Sequence, residues 1–417
     1  MRTYPVGKIG KLLFSVLAVC MILAGLSACS QDSNTSNQKP VTIGFTVSLT
    51  GDFAADGKAV QVGYELWRDS INQRGGLLGR PVALKYYDDG SDVNRAKADY
   101  EKLINTDHVD LLFGPFSTKI TAQVVHVADK YGYAFIVGAG NGASVFQQQL
   151  QNKNVFVSNL PSETYLDSFS QFLLSLPQDM RPKTAAYVRV DDPFAIPQVN
   201  YAEKILNKGG LKAVFDNQKP FEDGQTDMTA AAKTVAQSHA DVVVFGTVGL
   251  ADCISFIKTF KQVGYNPKAF IATSGPDEGA VFSKAVGLGG AEGVFVPNSG
   301  WYPGVNTYQN DQFTQEYIAK YGGTAQDINS GTVQGYSVGQ LLEQAVNQSR
   351  SLDNKVLIKT LHEGTFNNLF GPIKFSDQGA NIIGVPYLFQ WQAGKLIPVY
   401  PSSQAQDNPE YPKVKWS

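Results

Sequence analysis

Cysteine is scarce in this chain, with three among 417 residues. Cys20 lies inside the first hydrophobic run, Cys29 directly follows that run, and Cys253 then has no partner. We therefore expect no intrachain disulfide. Because Cys253 stands among apolar residues at helical spacing, it is predicted to be a small buried hydrophobic side chain.

An excess of basic residues is missing too. The chain has 35 Lys and Arg against 37 Asp and Glu, which gives a formal net charge of −2. A protein that binds nucleic acid needs a basic face, so nucleic acid is not an expected partner. Removing the first 28 residues, which contain three basic and no acidic residues, makes this balance more acidic.

Motifs for cofactors and catalysis are also missing. Residues 51–57 place five residues between two glycines, where a phosphate-binding loop has four, and Ala59 stands where that loop needs Ser or Thr. No GxGxxG follows the first predicted strand, and the four histidines are scattered singly. We therefore expect no cofactor and no metal, and a binding protein rather than an enzyme.

The first 28 residues have the pattern of an export signal. Basic residues precede an apolar run over residues 12–23, which is short for a membrane span. The Leu-Ser-Ala-Cys sequence at 26–29 resembles the lipobox of bacterial lipoproteins, in which the cysteine receives diacylglycerol after cleavage. An ordinary signal peptide is the alternative. The resemblance implies lipidation at Cys29, a flexible polar tether over residues 29–40, and an extracytoplasmic, lipid-anchored protein at the cell surface or in the periplasm.

After residue 40, short apolar runs alternate with amphipathic segments. A strand is predicted at 41–49 and a helix at 58–73, and the same rhythm restarts after residue 160. A helix is predicted over 335–348, and a hairpin turn at 392–395. Near-continuous apolar strands separated by helices are typical of parallel sheets covered on both faces. The predicted fold class is α/β, with two doubly wound parallel-sheet domains and a cleft at the carboxyl ends of their strands.

Several short motifs occur in a fixed order along the chain. They are IGF at 43–45, INQRGGLLG at 71–79, YDD at 87–89, LFGP at 112–115, GAGN at 138–141, AEG at 291–293 and GPIKF at 371–375. With them, residues 41–400 resemble type I periplasmic binding proteins, specifically the leucine/isoleucine/valine-binding family of ABC transporter substrate-binding lipoproteins. The resemblance implies a monomer whose two lobes are joined by three crossing segments and close on a ligand like a hinged clamp.

The resemblance also implies boundaries for the lobes. The crossing segments are expected near 156–160, 293–298 and 370–375. The amino-terminal lobe would then comprise residues 41–157 and 297–370, the carboxy-terminal lobe 158–296 and 371–400, and a polar tail 401–417.

In that family, hydroxyl groups and backbone amides after two strands of the first lobe hold the ligand carboxylate. The matching positions here are Thr118, Ala139 and Asn141, with Phe116, Ser117 and Gly140 beside them. Ser117 and Thr118 open a predicted helix, whose unpaired N–H groups and positive dipole end favour an anion. A simple helix cap is the alternative for these two residues. Asn141 replaces the hydroxyl residue that is usual at its position in the family, and its amide can still donate to the carboxylate.

Other site positions depart from the family pattern. The family has an aromatic residue in its first loop, and Asp56 stands at that position here, close to Phe53. The family's acid, which pairs with a ligand ammonium, matches a position near Ser274. The closest carboxylate to that position is Asp277. Asp56 is a candidate for that acid, with a solvated turn residue as the alternative. The remaining candidate binding residues are Phe194, Thr247, Trp301 and Tyr302. The last two would wall the pocket or, alternatively, pack the hinge.

These observations predict a function in solute uptake. The protein would capture a small organic ligand, first of all a branched-chain or other apolar amino acid, and deliver it to an ABC permease. Aromatic acids, amides and urea-like compounds are alternative ligands. A ligand-binding sensor that acts through a separate signalling partner is the alternative function.

Overall fold

The computed structural model describes residues 38–222, 227–298 and 300–416. The predicted export signal, the lipidation candidate Cys29 and most of the predicted tether lie outside the described residues. Residues 40–417 form one unit. Within the described part of the chain, no helix is long and apolar enough to cross a membrane.

The first part of the chain forms a five-stranded parallel sheet in the order β2-β1-β3-β4-β5. Its elements are β1 (Val41–Val47), α1 (Ala54–Gln73), β2 (Val82–Asp88), α2 (Val93–Asn105), β3 (Leu111–Phe113), α3 (Thr118–Tyr131), β4 (Phe135–Val137), α4 (Ala143–Phe146) and β5 (Val155–Val157). Strands β3, β4 and β5 are buried along their whole length. This burial is expected for a parallel sheet with helices on both faces.

The chain then crosses to a second sheet. The elements in order are α5 (Asp167–Ser175), β6 (Thr184–Arg189), α6 (Ala195–Lys208), β7 (Lys212–Asp216), α7 (Thr229–Gln237), β8 (Val242–Gly246), α8 (Leu250–Val263), β9 (Ala269–Ala272), α9 (Ala280–Val286), α10 (Leu288–Ala291) and β10 (Phe295–Asn298). Strands β6 to β10 are parallel. Cys253 in α8 is buried, as predicted for it.

Three helices then return to the first lobe: α11 (Asn310–Tyr321), α12 (Ser330–Ser349) and α13 (Asn354–Glu363). Helix α12 packs closely along α1 because glycines face each other at the contact. A Cβ atom on Gly63 would lie 2.2 Å from Thr332 O, and one on Gly335 would lie 2.4 Å from Val60 O. This close approach brings the N-terminus of α12 beside the N-terminus of α1.

The return to the second lobe falls later than the sequence indicates. Strands β11 (Phe366–Asn368) and β12 (Gly371–Ile373) form a hairpin whose side chains join the core of the first lobe. Phe375 packs edge-on against Phe156 of β5, with ring centroids 5.2 Å apart. Ile373 and Phe375, expected in the second lobe, thus join the core of the first, where Phe375 covers the β5 edge of its sheet.

The last strands complete the second sheet, in the order β14-β13-β10-β9-β8-β6-β7. Strand β13 (Tyr387–Gln392) runs antiparallel to β10, and β14 (Lys395–Tyr400) pairs with it through a tight turn. Residues 401–416, expected as a polar tail, continue over this lobe. Trp416 is 7% exposed, packs against Phe260 and Phe270, and donates its indole N–H to Glu292 O at 3.1 Å.

Candidate ligand site between the two lobes

A narrow cleft lies where the carboxyl ends of the strands of both sheets meet. The loops after β3 and β4 line it from the first lobe, and the loops after β8 and β9 line it from the second. The cleft encloses about 40 Å³. Ligands of open α/β sheets bind at this end of the strands, so the cleft is the candidate site. Two wider surface grooves lie elsewhere.

The cleft brings together most of the residues predicted from the sequence. These are Asp56, Phe116, Ser117, Thr118, Ala139, Asn141, Phe194 and Asp277. It also contains Val248 and Ser274, the latter being the position that the resemblance gave for the family's acid, and residues that the sequence analysis missed, namely Tyr165, Thr273, Ser330, Gly331 and Gln334. Ser330, Gly331 and Gln334 belong to α12, which follows α1 by more than 250 residues, so no local pattern connects them to the site.

The N-terminus of helix α3 provides the positive end of the cleft. Ser117 caps the helix, and its Oγ accepts from the backbone N–H of Ile120 at 3.2 Å. Thr118 Oγ1 accepts from the backbone N–H of Gly142 at 3.1 Å, which ties the loop after β4 to the helix start. Both hydroxyl oxygens therefore have structural roles, and the N–H groups of the first helical turn give this end its affinity for an anion.

Asn141 does not have the role expected from the sequence. Its Nδ2 donates to Leu160 O and to Tyr165 Oη, each at 2.7 Å, so both amide N–H groups are used within the protein. The prediction that this amide donates to a ligand carboxylate is therefore wrong. The side chain instead fixes Tyr165, whose ring packs edge-on against Phe194 at a centroid distance of 6.3 Å.

Two carboxyl groups, those of Asp56 and Asp277, also line the cleft, and a third, that of Glu278, is buried next to Asp277. Asp56 lies in the first turn of α1 in the first lobe, whereas Asp277 and Glu278 lie in the loop between β9 and α9 in the second. Ser330 Oγ donates to Asp277 Oδ2 at 2.8 Å, and Asn329 Nδ2 donates to Glu278 Oε2 at 3.3 Å. These contacts from α12 join the lobes across the cleft.

Burial shifts the titration of all three acids. It raises the pKa of Asp56 to about 7, although a hydrogen bond with Glu278 works in the opposite direction. Burial, and then the charge of Asp56, raises the pKa of Glu278 well above its ordinary range. Burial also raises the pKa of Asp277, although its bond from Ser330 opposes this. The cleft thus holds carboxyl groups in a setting that disfavours their charged forms.

Trp301 and Tyr302 lie outside the cleft, so the prediction that they wall it is wrong. Trp301 donates its indole N–H to Asn310 Oδ1 at 2.8 Å and packs against Phe313 in the core of the first lobe. Tyr302 lines a separate groove and packs against Phe389 at 5.8 Å. Both residues pack beside the crossing segments, which is the alternative that the sequence left open.

Phe53, Gly140 and Thr247 support the cleft from behind its wall. Phe53 packs edge-on against Phe116 at 5.6 Å. A Cβ atom on Gly140 would lie 2.2 Å from Thr121 Oγ1, so this position needs glycine for packing. Thr247 is fully buried and donates its hydroxyl to Asp252 Oδ2 at 2.7 Å.

The chemistry available in the cleft is that of binding. Within the described ranges, no group of three or more His, Cys, Asp or Glu residues is arranged to hold a metal ion. The walls between the two polar ends are apolar, formed by Phe116, Phe194 and Val248. A concave apolar site with a few convergent polar groups is typical of small-molecule binding.

Comparison with known proteins supports this interpretation. A family model described as "Periplasmic binding protein" matches residues 40–395. The chain is 25% identical over 410 residues to Leu/Ile/Val-binding protein homolog 7 of Brucella melitensis, covering 93% of this chain and 96% of that protein. It is also 25% identical over 391 residues to homolog 8 of Brucella suis, covering 91% and 94%.

Solved structures of solute-binding proteins share the fold. One is an R. palustris ABC transporter solute-binding protein in complex with benzoate, with a TM-score of 0.74, 20% identity, and coverage of 90% of this chain and 98% of that one. Another is the branched-chain amino acid substrate-binding protein LivJ of Streptococcus pneumoniae in complex with isoleucine, with a TM-score of 0.71, 19% identity, and coverage of 86% and 98%. These matches confirm the predicted α/β fold of type I periplasmic binding proteins.

Membership in this family implies an extracytoplasmic protein that binds a small molecule and works with an ABC permease, rather than an enzyme. The match over residues 40–395, together with the two-lobed fold and its cleft, shows that the chain belongs to the periplasmic binding protein family, within the branch of Leu/Ile/Val-binding-like solute-binding proteins of ABC transporters.

Proposed function

We propose that this protein captures an amino acid, branched-chain or otherwise apolar, in the cleft between its lobes and delivers it to an ABC importer. The observation that carries the proposal is the polarity of the cleft. The N-terminus of α3 lines the cleft together with the buried carboxyl groups of Asp56 and Asp277, and Glu278 is buried beside Asp277. A zwitterion has the two matching charges.

Each end of the cleft matches one group of an amino acid. A ligand carboxylate at α3 accepts from backbone N–H groups and meets the positive end of the helix dipole. A ligand ammonium at Asp56 and Asp277 offsets the cost of burying their negative charges. The apolar walls at Phe116, Phe194 and Val248 then receive an aliphatic side chain.

An aromatic carboxylate is the second candidate ligand. The R. palustris protein with the same fold was solved with benzoate, and aromatic rings of Phe116, Tyr165 and Phe194 line the cleft here. Such a ligand would use the N-terminus of α3 in the same way. It would, however, leave the acidic end without a positive partner, and for this reason we favour the amino acid.

The ligand is tested by native mass spectrometry of protein that begins at Ser30 and is purified without refolding. We expect one copurified amino acid, identified after denaturation. Melting curves with L-leucine, L-isoleucine, L-valine and benzoate follow, because a ligand at 100 times its Kd stabilises the folded state by about 2.7 kcal/mol. A melting shift with benzoate and none with the amino acids would contradict the proposed ligand class.

We further propose that the protein is anchored through lipid on Cys29, as the lipobox-like sequence at 26–29 indicates. In a bacterial host, Cys29→Ser should abolish incorporation of labelled palmitate and release the protein from the membrane fraction. Cys20→Ser, within the segment predicted to be removed, is the matched control and should leave labelling unchanged. Undiminished labelling of the Cys29→Ser variant would contradict the anchor.

A further inference from the structure

We propose that the two lobes are held closed by a latch that works without the ligand. The latch consists of residues 326–330 of the first lobe, which lead into α12, and residues 277–284 of the second lobe, which include the start of α9. It keeps part of the ligand-free molecules closed and supplies the same part of the free energy of closure for every ligand. Asn329 is its central hydrogen-bond donor.

Asn329 uses the two ends of its side-chain amide for two different purposes. Its Oδ1 accepts from the backbone N–H of Gly331 at 2.7 Å and thereby caps α12. Its Nδ2 donates to Glu278 Oε2 of the other lobe at 3.3 Å. Glu278 is 2% exposed, and its Oε1 has no hydrogen-bond partner among the described residues. Without the bond from Asn329 the closed state would bury this acid with one donor fewer, which is the costly case.

Ser330 makes the neighbouring bond. Its Oγ donates to Asp277 Oδ2 at 2.8 Å, next to the bond from Asn329 to Glu278. Two successive residues at the start of α12 therefore donate to two successive acids of the second lobe. This pairing fixes the register of the two segments, because a displacement by one residue would break both bonds.

The backbones of the two lobes meet at Gly279. A Cβ atom at this position would lie 2.9 Å from Gln326 O and 3.2 Å from Ile328 O. Gly279 also has a φ of +60°, in the region that favours glycine. The glycine therefore allows the second lobe to reach the carbonyl groups just before α12, and a larger residue would hold the lobes apart.

The outer edge of the latch has a weaker contact. Lys284 Nζ lies 3.5 Å from Asp327 Oδ1, and the lysine side chain is 78% exposed. An exposed pair of this kind contributes little to stability. Asp327 also accepts from the N–H and the hydroxyl of Thr324, at 2.9 and 2.8 Å, which fixes the turn before the latch. We therefore assign the hold of the latch to its buried contacts.

The position of the latch separates retention of a ligand from selection of a ligand. Ser330 and Asp277 are among the described residues that line the cleft, whereas Asn329, Glu278 and Gly279 are not. Loss of a latch contact away from the cleft lowers the population of the closed state. The apparent affinity of every ligand then falls by the same factor, because only the closed fraction holds it. Loss of a residue that touches the ligand changes the affinities unequally.

Small-angle X-ray scattering without ligand tests the latch by itself. Asn329→Ser keeps an oxygen that caps α12 but is too short to reach Glu278, so this variant should have a larger radius of gyration than the wild type. Asp353→Ser makes a similar exchange at the cap of α13 in the first lobe and should have the radius of the wild type. Equal radii for the wild type and Asn329→Ser would overturn the proposal.

A pair of glycine variants tests the backbone contact. Gly279→Ala and Gly287→Ala both place a side chain at positive φ, but a Cβ atom on Gly287 meets nothing within 4 Å. Without ligand, Gly279→Ala should be more open than the wild type, and Gly287→Ala should not. Thermal unfolding confirms that both variants are folded. If Gly287→Ala opened as far as Gly279→Ala, backbone strain would be the cause and the latch contact at Gly279 would be refuted.

Calorimetry with L-leucine, L-isoleucine, L-valine and benzoate tests the link to binding. Asn329→Ser should weaken the binding of each ligand that the wild type binds by one common factor, up to about tenfold for the loss of one such bond. Losses that differ between ligands would identify Asn329 as a ligand contact and overturn the proposal. If none of the four ligands binds, the proposed ligand class is contradicted, and the scattering experiment still decides whether the latch closes the lobes.

Discussion

Asp56 lies in the first turn of α1, where the helix dipole normally favours a carboxylate. Burial outweighs the dipole here, because the pKa of Asp56 is raised to about 7 instead of lowered. A buried acid with a raised pKa opposes folding in its charged form, and this cost grows as the pH rises from about 4 to about 7. Retaining such a group makes physical sense when a ligand supplies the missing positive charge.

Replacing this acid should therefore affect binding and stability in opposite directions. Asp56→Asn should weaken amino acid binding by 10-fold or more, because the ligand ammonium loses a charged partner. The melting temperature of the ligand-free variant at pH 8 should equal or exceed that of the wild type. Calorimetry measures the affinity, and thermal unfolding measures the melting temperature. Asp52→Asn, an exposed acid in the turn just before α1, is the control. Unchanged affinity of the Asp56→Asn variant would contradict the role of Asp56.

At Ser117, the effect of the α3 cap hydrogen bond on stability can be measured separately from the effect of the backbone conformation. Its φ of +76° lies in the region that favours glycine, and its Oγ accepts from the N–H of Ile120. Ser117→Ala loses the cap bond and keeps the strain, so it should lower the free energy of unfolding by about 1–2 kcal/mol. Ser117→Gly loses the bond but relieves the strain, so this variant should lower the free energy of unfolding by only a few tenths of a kcal/mol. Denaturant titrations of both variants give the comparison, and equal losses would show that the strain does not matter.

The sequence predicted the residues that directly follow a strand more reliably than the contacts those residues make. Thr118 and Ala139 line the cleft as predicted, because the motifs around them place them after β3 and β4. The amide of Asn141 was predicted to be available to the ligand. Its hydrogen-bond partner Tyr165 lies 24 residues later, in a segment without a motif, so no sequence pattern indicated this bond. Glu278 was missed because its burial depends on α1 and α12, which are distant in sequence.

At the level of elements, hydrophobic spacing predicted most helices and strands but not their ends. The helix predicted at 58–73 begins earlier, at Ala54. The sequence did not show this start because the cap position is Phe53, which makes no side-chain cap hydrogen bond. The predicted turn at 392–395 joins β13 to β14, with Ala393 and Gly394 at positive φ. Long-range packing places the hairpin of β11 and β12 on the first lobe. The sequence therefore predicted the boundary between the two lobes too early in the chain.

The contact between α1 and α12 links packing to binding. Gly335→Ala would place a Cβ atom 2.4 Å from Val60 O, so α12 must shift away from α1. Because α12 also positions Asn329 and Ser330 against the acidic end of the cleft, we expect weaker ligand binding together with a loss of stability of about 1–3 kcal/mol.

Helix propensity and the close contact act on the Gly335→Ala variant in opposite directions, so their effects on stability can be told apart. Alanine is favoured over glycine in a helix by about 1 kcal/mol, so a net loss of stability identifies the close contact as its cause. Asn347→Ala, on the exposed side of the same helix, is the control and should keep binding unchanged. Denaturant unfolding and calorimetry measure the two effects, and a Gly335→Ala variant that is more stable than the wild type would contradict the importance of the contact.

At the scale of the whole molecule, the two lobes have separate cores. One apolar cluster fills the first lobe, and two further clusters cover the two faces of the second sheet. Trp416 belongs to one of these second-lobe clusters, where it packs against Phe260 and Phe270. Its removal should therefore destabilise one lobe directly, while the other is affected only through contacts across the cleft.

This separation predicts how the whole protein unfolds. Trp416→Ala should lower the free energy of unfolding of the second lobe by about 3–5 kcal/mol, so that melting of the ligand-free variant splits into two transitions. A ligand that contacts both lobes binds only when both are folded, so saturating ligand should raise the lower transition towards the upper one. Val414→Ala, on the exposed side of the same tail, is the control and should melt as wild type. Calorimetric scans with and without ligand measure this, and a lower transition that ligand does not move would place the binding site in the first lobe alone.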